Sequence, residues 1–232
     1  MKDAVLFNGP NSLDFQDIRN NVIRIPEVVL RLRQAQEIWD AADYPEFDLA
    51  NFIASEDRVF LGNIRLKSLA AAVVQVSLYD RYTKHFKAPE FILGNSNGDS
   101  AMKVAAGLMS FEELVARSNA FRVVRTNPNI SLTEAPLLAG ISLTEYGVLK
   151  KKADSPGYEE LTLTNMEVEK IISHLVEELN VKKFINIGPG NTLMRTSSED
   201  LSLRDVQILE SIDVDPLLNW FWNGMRETQL VG

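Results

Sequence analysis

The chain has 232 residues, 45% of them apolar, with 24 Lys and Arg against 32 Asp and Glu, for a formal net charge of −8. That length and apolar content suffice for one substantial α/β core, and the acidic balance excludes the basic footprint of a nucleic-acid binder. Cysteine is absent, which removes disulfides and thiolate metal ligands and fits a reducing compartment. No apolar run approaches the roughly 20 residues that span a bilayer, and the apolar part of Met1–Phe7 is too brief for a signal segment. These features predict a cytoplasmic protein that engages neither nucleic acid nor membrane.

Ala4–Phe7 is a short apolar run closed by Asn8-Gly9-Pro10-Asn11-Ser12, which predicts a buried first strand and a turn. From about Asp17 to Ala42 charged and apolar residues alternate at helical spacing, with one break at Pro26. Tyr44–Arg58 has no clean period and predicts loop with a short helix. Leu66–Phe86 predicts a helix, because Ala70, Ala71, Val74, Leu78 and Tyr82 recur at three- and four-residue steps. Its alanines suit close packing on a sheet.

Next comes Phe91-Ile-Leu-Gly94-Asn95-Ser96-Asn97-Gly98-Asp99, an apolar strand that runs into Gly-x-Ser-x-Gly and a helix from Ser100 to Gly107. This is the layout of a nucleophile elbow, in which a sharp strand-to-helix turn raises a serine hydroxyl above the sheet edge. The glycines permit the turn, and the helix N-terminus offers free N–H groups to a developing oxyanion. Ser96 is therefore the candidate nucleophile; capping of the following helix is its alternative role. A helix is predicted from Phe111 to about Val124.

Composition changes at Thr126-Asn-Pro-Asn129. Three short strands, Leu137–Leu143, Gly147–Lys152 and Glu160–Thr164, are predicted with turns at Tyr146-Gly147 and Ser155-Pro156-Gly157. Together they predict a small antiparallel insertion over 126–165. Lys150-Lys-Lys152 reads as a solvated strand edge or as a docking point for an acidic partner. Helix Met166–Leu179, strand Lys183–Ile187, the tight turn Gly188-Pro189-Gly190-Asn191, a helical Thr192–Ser197, strand Val206–Ile212 and helix Pro216–Arg226 follow. The last helix carries Trp220, Phe221 and Trp222, which cannot share one face. Strands alternating with helices predict a mostly parallel sheet covered on both faces.

Four segments in this order resemble the malonyl-CoA:acyl-carrier-protein transacylase family and the acyltransferase domains of polyketide and fatty-acid synthases. Ala4-Val-Leu-Phe7-Asn-Gly9-Pro-Asn-Ser12-Leu13 is similar to the family's opening F-x-G-Q-G-S-Q. The alanine-rich helix through Ser77-Leu-Tyr79 to Lys87-Ala88-Pro89 is the second. Gly94-Asn-Ser96-Asn-Gly98-Asp99, with Ala105-Ala106-Gly107-Leu-Met-Ser110-Phe111-Glu-Glu, resembles G-H-S-x-G-E followed by A-A-G-x-x-S-x-x-D/E. Lys183-Phe-Ile-Asn-Ile-Gly188-Pro189-Gly190-Asn-Thr-Leu193 resembles F-x-E-x-G-P-G-x-x-L.

The resemblance implies an α/β-hydrolase-like core over 1–125 and 166–232, with a shortened ferredoxin-like subdomain inserted at 126–165. It implies acyl transfer through a serine ester in fatty-acid or polyketide biosynthesis, with acyl-CoA or an acyl carrier protein as partner. The phosphopantetheine thioester would be the substrate, and no cofactor or metal would be permanently bound. Ser96 would be the nucleophile, the backbone N–H groups of Asn97 and Leu13 would hold the oxyanion, and Asn95, Gly9 and Arg122 would contact substrate. The family's arginine, which forks onto the malonyl carboxylate, falls at Phe121 by direct count and at Arg122 after a one-residue slip. Arg117 is a full turn away.

The chain departs from the family at the chemistry. Asn95 replaces the histidine before the serine, Asp99 the glutamate, and Leu13 the glutamine of the opening motif. The family's base is a histidine that follows the inserted subdomain, but Thr126–Asn165 contains none; the only histidines are His85 and His174. The strand rise places His85 roughly 20 Å from Ser96, and the helix rise places His174 about two turns, roughly 10–12 Å, from the active edge. A general base needs a reach of ~3 Å. Two readings stay open: an acyltransferase or acyl-thioester hydrolase with an eroded site, and a catalytically inactive transacylase-like scaffold that binds a carrier protein.

Overall fold

The computed structural model describes residues 2–9, 15–42, 44, 46–55, 64–95, 98–123, 146–161, 168–188, 206–215 and 217–218. Strands β1 (Lys2–Phe7), β2 (Phe91–Asn95), β3 (Tyr146–Lys151), β4 (Tyr158–Glu160), β5 (Val181–Asn186) and β6 (Gln207–Glu210) form one six-stranded sheet in the order β4-β3-β2-β1-β5-β6. β1 is parallel to both of its neighbours, and β6 is parallel to β5. β3 and β4 are added antiparallel beyond β2.

The central strands are apolar on both faces because both faces are covered. Val5, Phe7, Ile92, Leu149 and Ile185 pack on one side, and Ala4, Leu6, Phe91, Leu93, Val148 and Phe184 on the other, following the side-chain period of two. The helices are α1 (Phe15–Asn20), α2 (Pro26–Ala41), α3 (Leu49–Ala54), α4 (Ile64–His85), α5 (Gly98–Ala105), α6 (Phe111–Val123), α7 (Val168–Glu177) and α8 (Ser211–Val214). α2, α4, α5 and α6 pack together over the first face. α7 covers the second with Ile171, Ile172, Leu175 and Val176.

Pro26 is the first residue of α2 rather than a kink within a longer helix, a position where its missing N–H costs nothing. Val28, Leu32, Ala35 and Trp39 form the buried stripe of α2, and Trp39 meets Tyr44 edge-on at 5.0 Å. The alanine-rich α4 is buried on most sides, from Leu69 through Val74 to Tyr82, as a helix between a sheet and a second helical layer must be. Its surviving charges are paired: Arg31 Nε of α2 bonds Asp80 Oδ2 at 2.7 Å. Arg81 Nε bonds Asp215 Oδ2 at 2.6 Å and its Nη1 bonds Glu27 Oε2 at 3.2 Å.

The motif Ala105-Ala106-Gly107-Leu-Met-Ser110-Phe-Glu-Glu113 is helix punctuation. Gly107 lies at φ +72°, and Leu108 N–H donates to Lys103 O at 2.8 Å, an αL stop for α5. Ser110 Oγ accepts Glu113 N–H at 3.0 Å, while Glu113 Oε2 accepts Ser110 N–H at 2.8 Å. This reciprocal pair is a capping box that starts α6.

The segment expected as an insertion is described only from 146 to 161. There its two strands make a hairpin that hydrogen-bonds onto β2 through Phe91↔Lys150 to Asn95↔Tyr146, extending the core sheet. The strand expected at Glu160–Thr164 instead occupies Tyr158–Glu160. Tyr158 draws the strand forward, because its ring is buried and its hydroxyl donates to Pro89 O at 2.8 Å. The strand expected over Val206–Ile212 ends at Glu210, where α8 begins. Leu137–Leu143, Thr192–Ser197 and the late tryptophans lie outside the described residues.

Two outcomes follow from this framework. Burial alone would raise the carboxyls of Glu27 and Asp215, but Lys84 and Arg81 around Glu27, and Arg81 with the Leu218 N–H around Asp215, hold them below their ordinary 4.5 and 3.8. A carboxyl depressed in the folded chain contributes fully above its ordinary value, and that contribution is lost as pH falls through the folded value. Thermal melts should therefore show stability dropping below about pH 4.5, and Asp215→Asn should flatten part of that drop while costing about 3 kcal/mol at neutral pH. Gly107→Ala has open space for its methyl group but a strained φ, so urea unfolding should show a loss of about 1 kcal/mol.

Candidate active site

β1 and β2 are parallel with Phe7 opposite Gly94, so both strands end at the same edge of the sheet. Only residues 96 and 97 separate Asn95, the last residue of β2, from Gly98, the first of α5. α5 then packs back on β2 and α4. A parallel strand followed after two residues by a helix that packs back on it is the context that the sequence motif requires. Gly9, two residues beyond β1, and Gly188, two beyond β5, are buried at the same edge.

The structure thus brings Gly9 and Asn95 to one edge. Arg122 lies on α6, one residue before its end. Ser96, Asn97 and Leu13 lie outside the described residues. Neither histidine reaches this edge. His85 is the last residue of α4 and precedes the start of β2, so it sits at the amino edge, with the whole of β2 between it and the elbow. His174 is in the last turn of α7, with Nδ1 at 3.1 Å from Glu178 Oε1. Three residues lead from α7 into the start of β5, which places that turn at the amino edge as well.

The carboxyl edge instead holds a buried polar row that the sequence reading did not single out. Asn8 Nδ2 donates to Asn186 Oδ1 at 2.7 Å, and Asn186 Nδ2 donates to Glu210 Oε2 at 2.7 Å. Asn8 is 2% exposed, Asn186 3% and Glu210 8%. Asn186 is the last residue of β5 and faces Glu210, the last of β6, in the strand register. Gln75, buried in the middle of α4, donates Nε2 to Asn8 O at 2.8 Å and to Ile187 O at 3.4 Å. Helix α4 is thereby fixed to the ends of β1 and β5. Glu210 is three strand spacings from β2, roughly 14 Å, too far to serve a serine on the elbow directly. Its link toward the elbow runs through two amides, which orient groups but do not carry a proton. The signal for these residues was a polar side chain in an apolar run: Gln75 between Val74 and Val76, and Asn186 between Ile185 and Ile187.

A concavity of about 790 Å³ lies between α2 and α3, with Arg33, Asp40, Glu46 and Asp48 around Phe47 and Phe52. None of the carboxyl-edge residues lines it. Among the described residues no group of three or more His, Cys, Asp and Glu side chains could hold a metal ion, and no helix is long and apolar enough to cross a membrane.

No family model matches the chain, and no curated protein matches it by sequence. Solved structures do match. The malonyl-CoA:ACP transacylase of Synechocystis sp. PCC 6803 superposes with a TM-score of 0.62 at 13% identity, covering 90% of this chain and 97% of that one. An acyl-carrier-protein S-malonyltransferase of Burkholderia pseudomallei 1710b gives 0.62 at 14%, covering 94% and 98%. A malonyl-transacylase solved in complex with its type II polyketide-synthase acyl-carrier protein gives 0.59 at 13%, covering 90% and 95%. The fold is that of malonyl-CoA:acyl-carrier-protein transacylases. Within this fold, the carboxyl ends of β1, β2 and β5, the start of α5 at Gly98 and Gly188 lie at one edge of the sheet.

The polar row is open to a direct check. Asn186→Leu leaves Asn8 Nδ2 and the Glu210 carboxylate without the amide between them. Denaturant unfolding should show a loss of about 1–3 kcal/mol, clearly more than the cost of the same change at an exposed asparagine.

Proposed function

We propose that this protein acts on acyl thioesters of coenzyme A or an acyl carrier protein, in the cytoplasm, at the carboxyl edge of its sheet, with Ser96 as the acyl acceptor. The observation that carries this reading is the strand-to-helix context of Ser96: a parallel strand ending at Asn95, two residues that include Ser96, and a helix from Gly98 that packs back on the strand. The first N–H groups of a helix are left free at its N-terminus, so those of α5 would be available to an oxyanion formed at Ser96. Asn97 and Leu13 are the proposed backbone donors, and Asn95, Gly9 and Arg122 the proposed substrate contacts. The likeness to transacylases, one of them bound to its carrier protein, supports the substrate class. The malonyl or acyl group would move from the thioester sulfur to Ser96 Oγ, with the thiol leaving, and then to a second thiol.

A second reading, a carrier-protein-binding scaffold without turnover, draws on one specific observation. Both histidines of the chain sit at the amino edge, so no histidine of this chain serves as base, and a serine at its ordinary pKa is a weak nucleophile. Intact-mass spectrometry after incubation with malonyl-CoA or acetyl-CoA separates the two. The acyltransferase reading predicts an acyl adduct on the wild type and none on Ser96→Ala. An unmodified wild type that still binds acyl carrier protein would establish the scaffold reading instead.

A further inference from the structure

The row Asn8–Asn186–Glu210 has a direction. Asn186 Nδ2 donates to Glu210 Oε2, the arrangement that a carboxylate, which only accepts, requires. Asn186 Oδ1 is then presented to Asn8, whose Nδ2 donates to it. Asn8 Oδ1 is left over, buried and without a hydrogen-bond partner among the described residues. Neither amide can flip to relieve it. Flipping Asn186 would oppose its oxygen to the carboxylate, and flipping Asn8 would oppose two amide oxygens. Gln75 donates to the backbone carbonyls of Asn8 and Ile187, so the backbone acceptor of Asn8 is taken and Oδ1 is its remaining one. Buried acceptors in folded proteins are nearly always paired, and this one is held unpaired by a carboxylate two residues along the row.

We propose that Asn8 Oδ1 is a recognition acceptor for the N–H of a secondary amide on a ligand at the carboxyl edge, the group that a phosphopantetheine arm presents. The identity of that amide rests on the thioester reading above; the direction of the row does not. An N–H group only donates, so it matches this fixed acceptor and would mismatch a reversed row. A hydroxyl or a water molecule serves either direction. Glu210 is then a positioning residue, acting on the ligand through Asn186 and Asn8.

The full-length protein can be titrated calorimetrically with pantetheine and with a depsi-analogue in which ester oxygens replace both amide N–H groups. Wild type should bind pantetheine at least about tenfold more tightly, as expected when one buried acceptor loses its donor. Glu210→Gln keeps the side-chain shape but can donate to Asn186, so both amides become free to flip and the preference should fall toward unity. Through-hydrogen-bond NMR couplings give a readout without ligand: in wild type they should link Asn8 Nδ2 to the Asn186 carbonyl carbon and Asn186 Nδ2 to the Glu210 carboxyl carbon. Equal affinity of wild type for both compounds would overturn the role of Asn8 and leave the thioester reading standing, with a buried water as the partner of Oδ1. A preference undiminished in Glu210→Gln would overturn the role of the row. Failure of wild type to bind either compound would remove the thioester reading and the proposed ligand with it.

Discussion

The placement of β1 between two parallel partners governs much of this molecule. A strand that is paired on both sides and covered on both faces ends in the interior, and the polar groups at its carboxyl end must be satisfied there. Asn8, Asn186 and Glu210 meet that requirement across β1, β5 and β6, and Gln75 meets it from the helix above. Each bond joins segments far apart in the chain. Satisfying the strand ends therefore also fixes the order of the strands and the seat of α4. The elbow inherits its position from the same arrangement, since β2 is aligned on β1 and ends beside it.

The two ends of the sheet are chemically distinct. At the carboxyl edge lie the elbow, the glycines after β1 and β5, and an oriented row of amides. At the amino edge lie both histidines. The ionic contacts of Arg81 with Glu27 and Asp215 bind α4 to α2 and to the segment after β6, so they hold the helical layer without entering the carboxyl-edge row. The two amides of this row orient groups and do not carry a proton, so the row suits recognition of a polar ligand better than proton transfer.

Local signals carried most of the architecture. The three- and four-residue recurrence in Leu66–Phe86 was enough to find α4, and the helices expected over Ser100–Gly107 and from Phe111 are present, separated by the stop at Gly107 and the capping box at Ser110. The strand before the elbow and the helix after it were legible from an apolar run and two glycines. Where the hairpin of β3 and β4 would attach was not legible, because alternation identifies a strand without naming its neighbour. The start of β4 was set by a distant contact, Tyr158 with Pro89, and so was misplaced by two residues. The amide row was missed for a related reason. Asn8 reads locally as a turn residue and Asn186 as a strand-end irregularity, and their bond spans 178 positions.

The central claim is that the carboxyl edge of the sheet receives the thioester. Hydrogen–deuterium exchange of the full-length protein, with and without malonyl-CoA, tests it most directly. Slowed exchange around Phe7–Gly9, across Gly94–Gly98 and at Ile187–Gly188 is the predicted result. Protection confined to α2 and α3, around the concavity that contains Arg33 and Asp48, with the carboxyl edge unchanged, would contradict it.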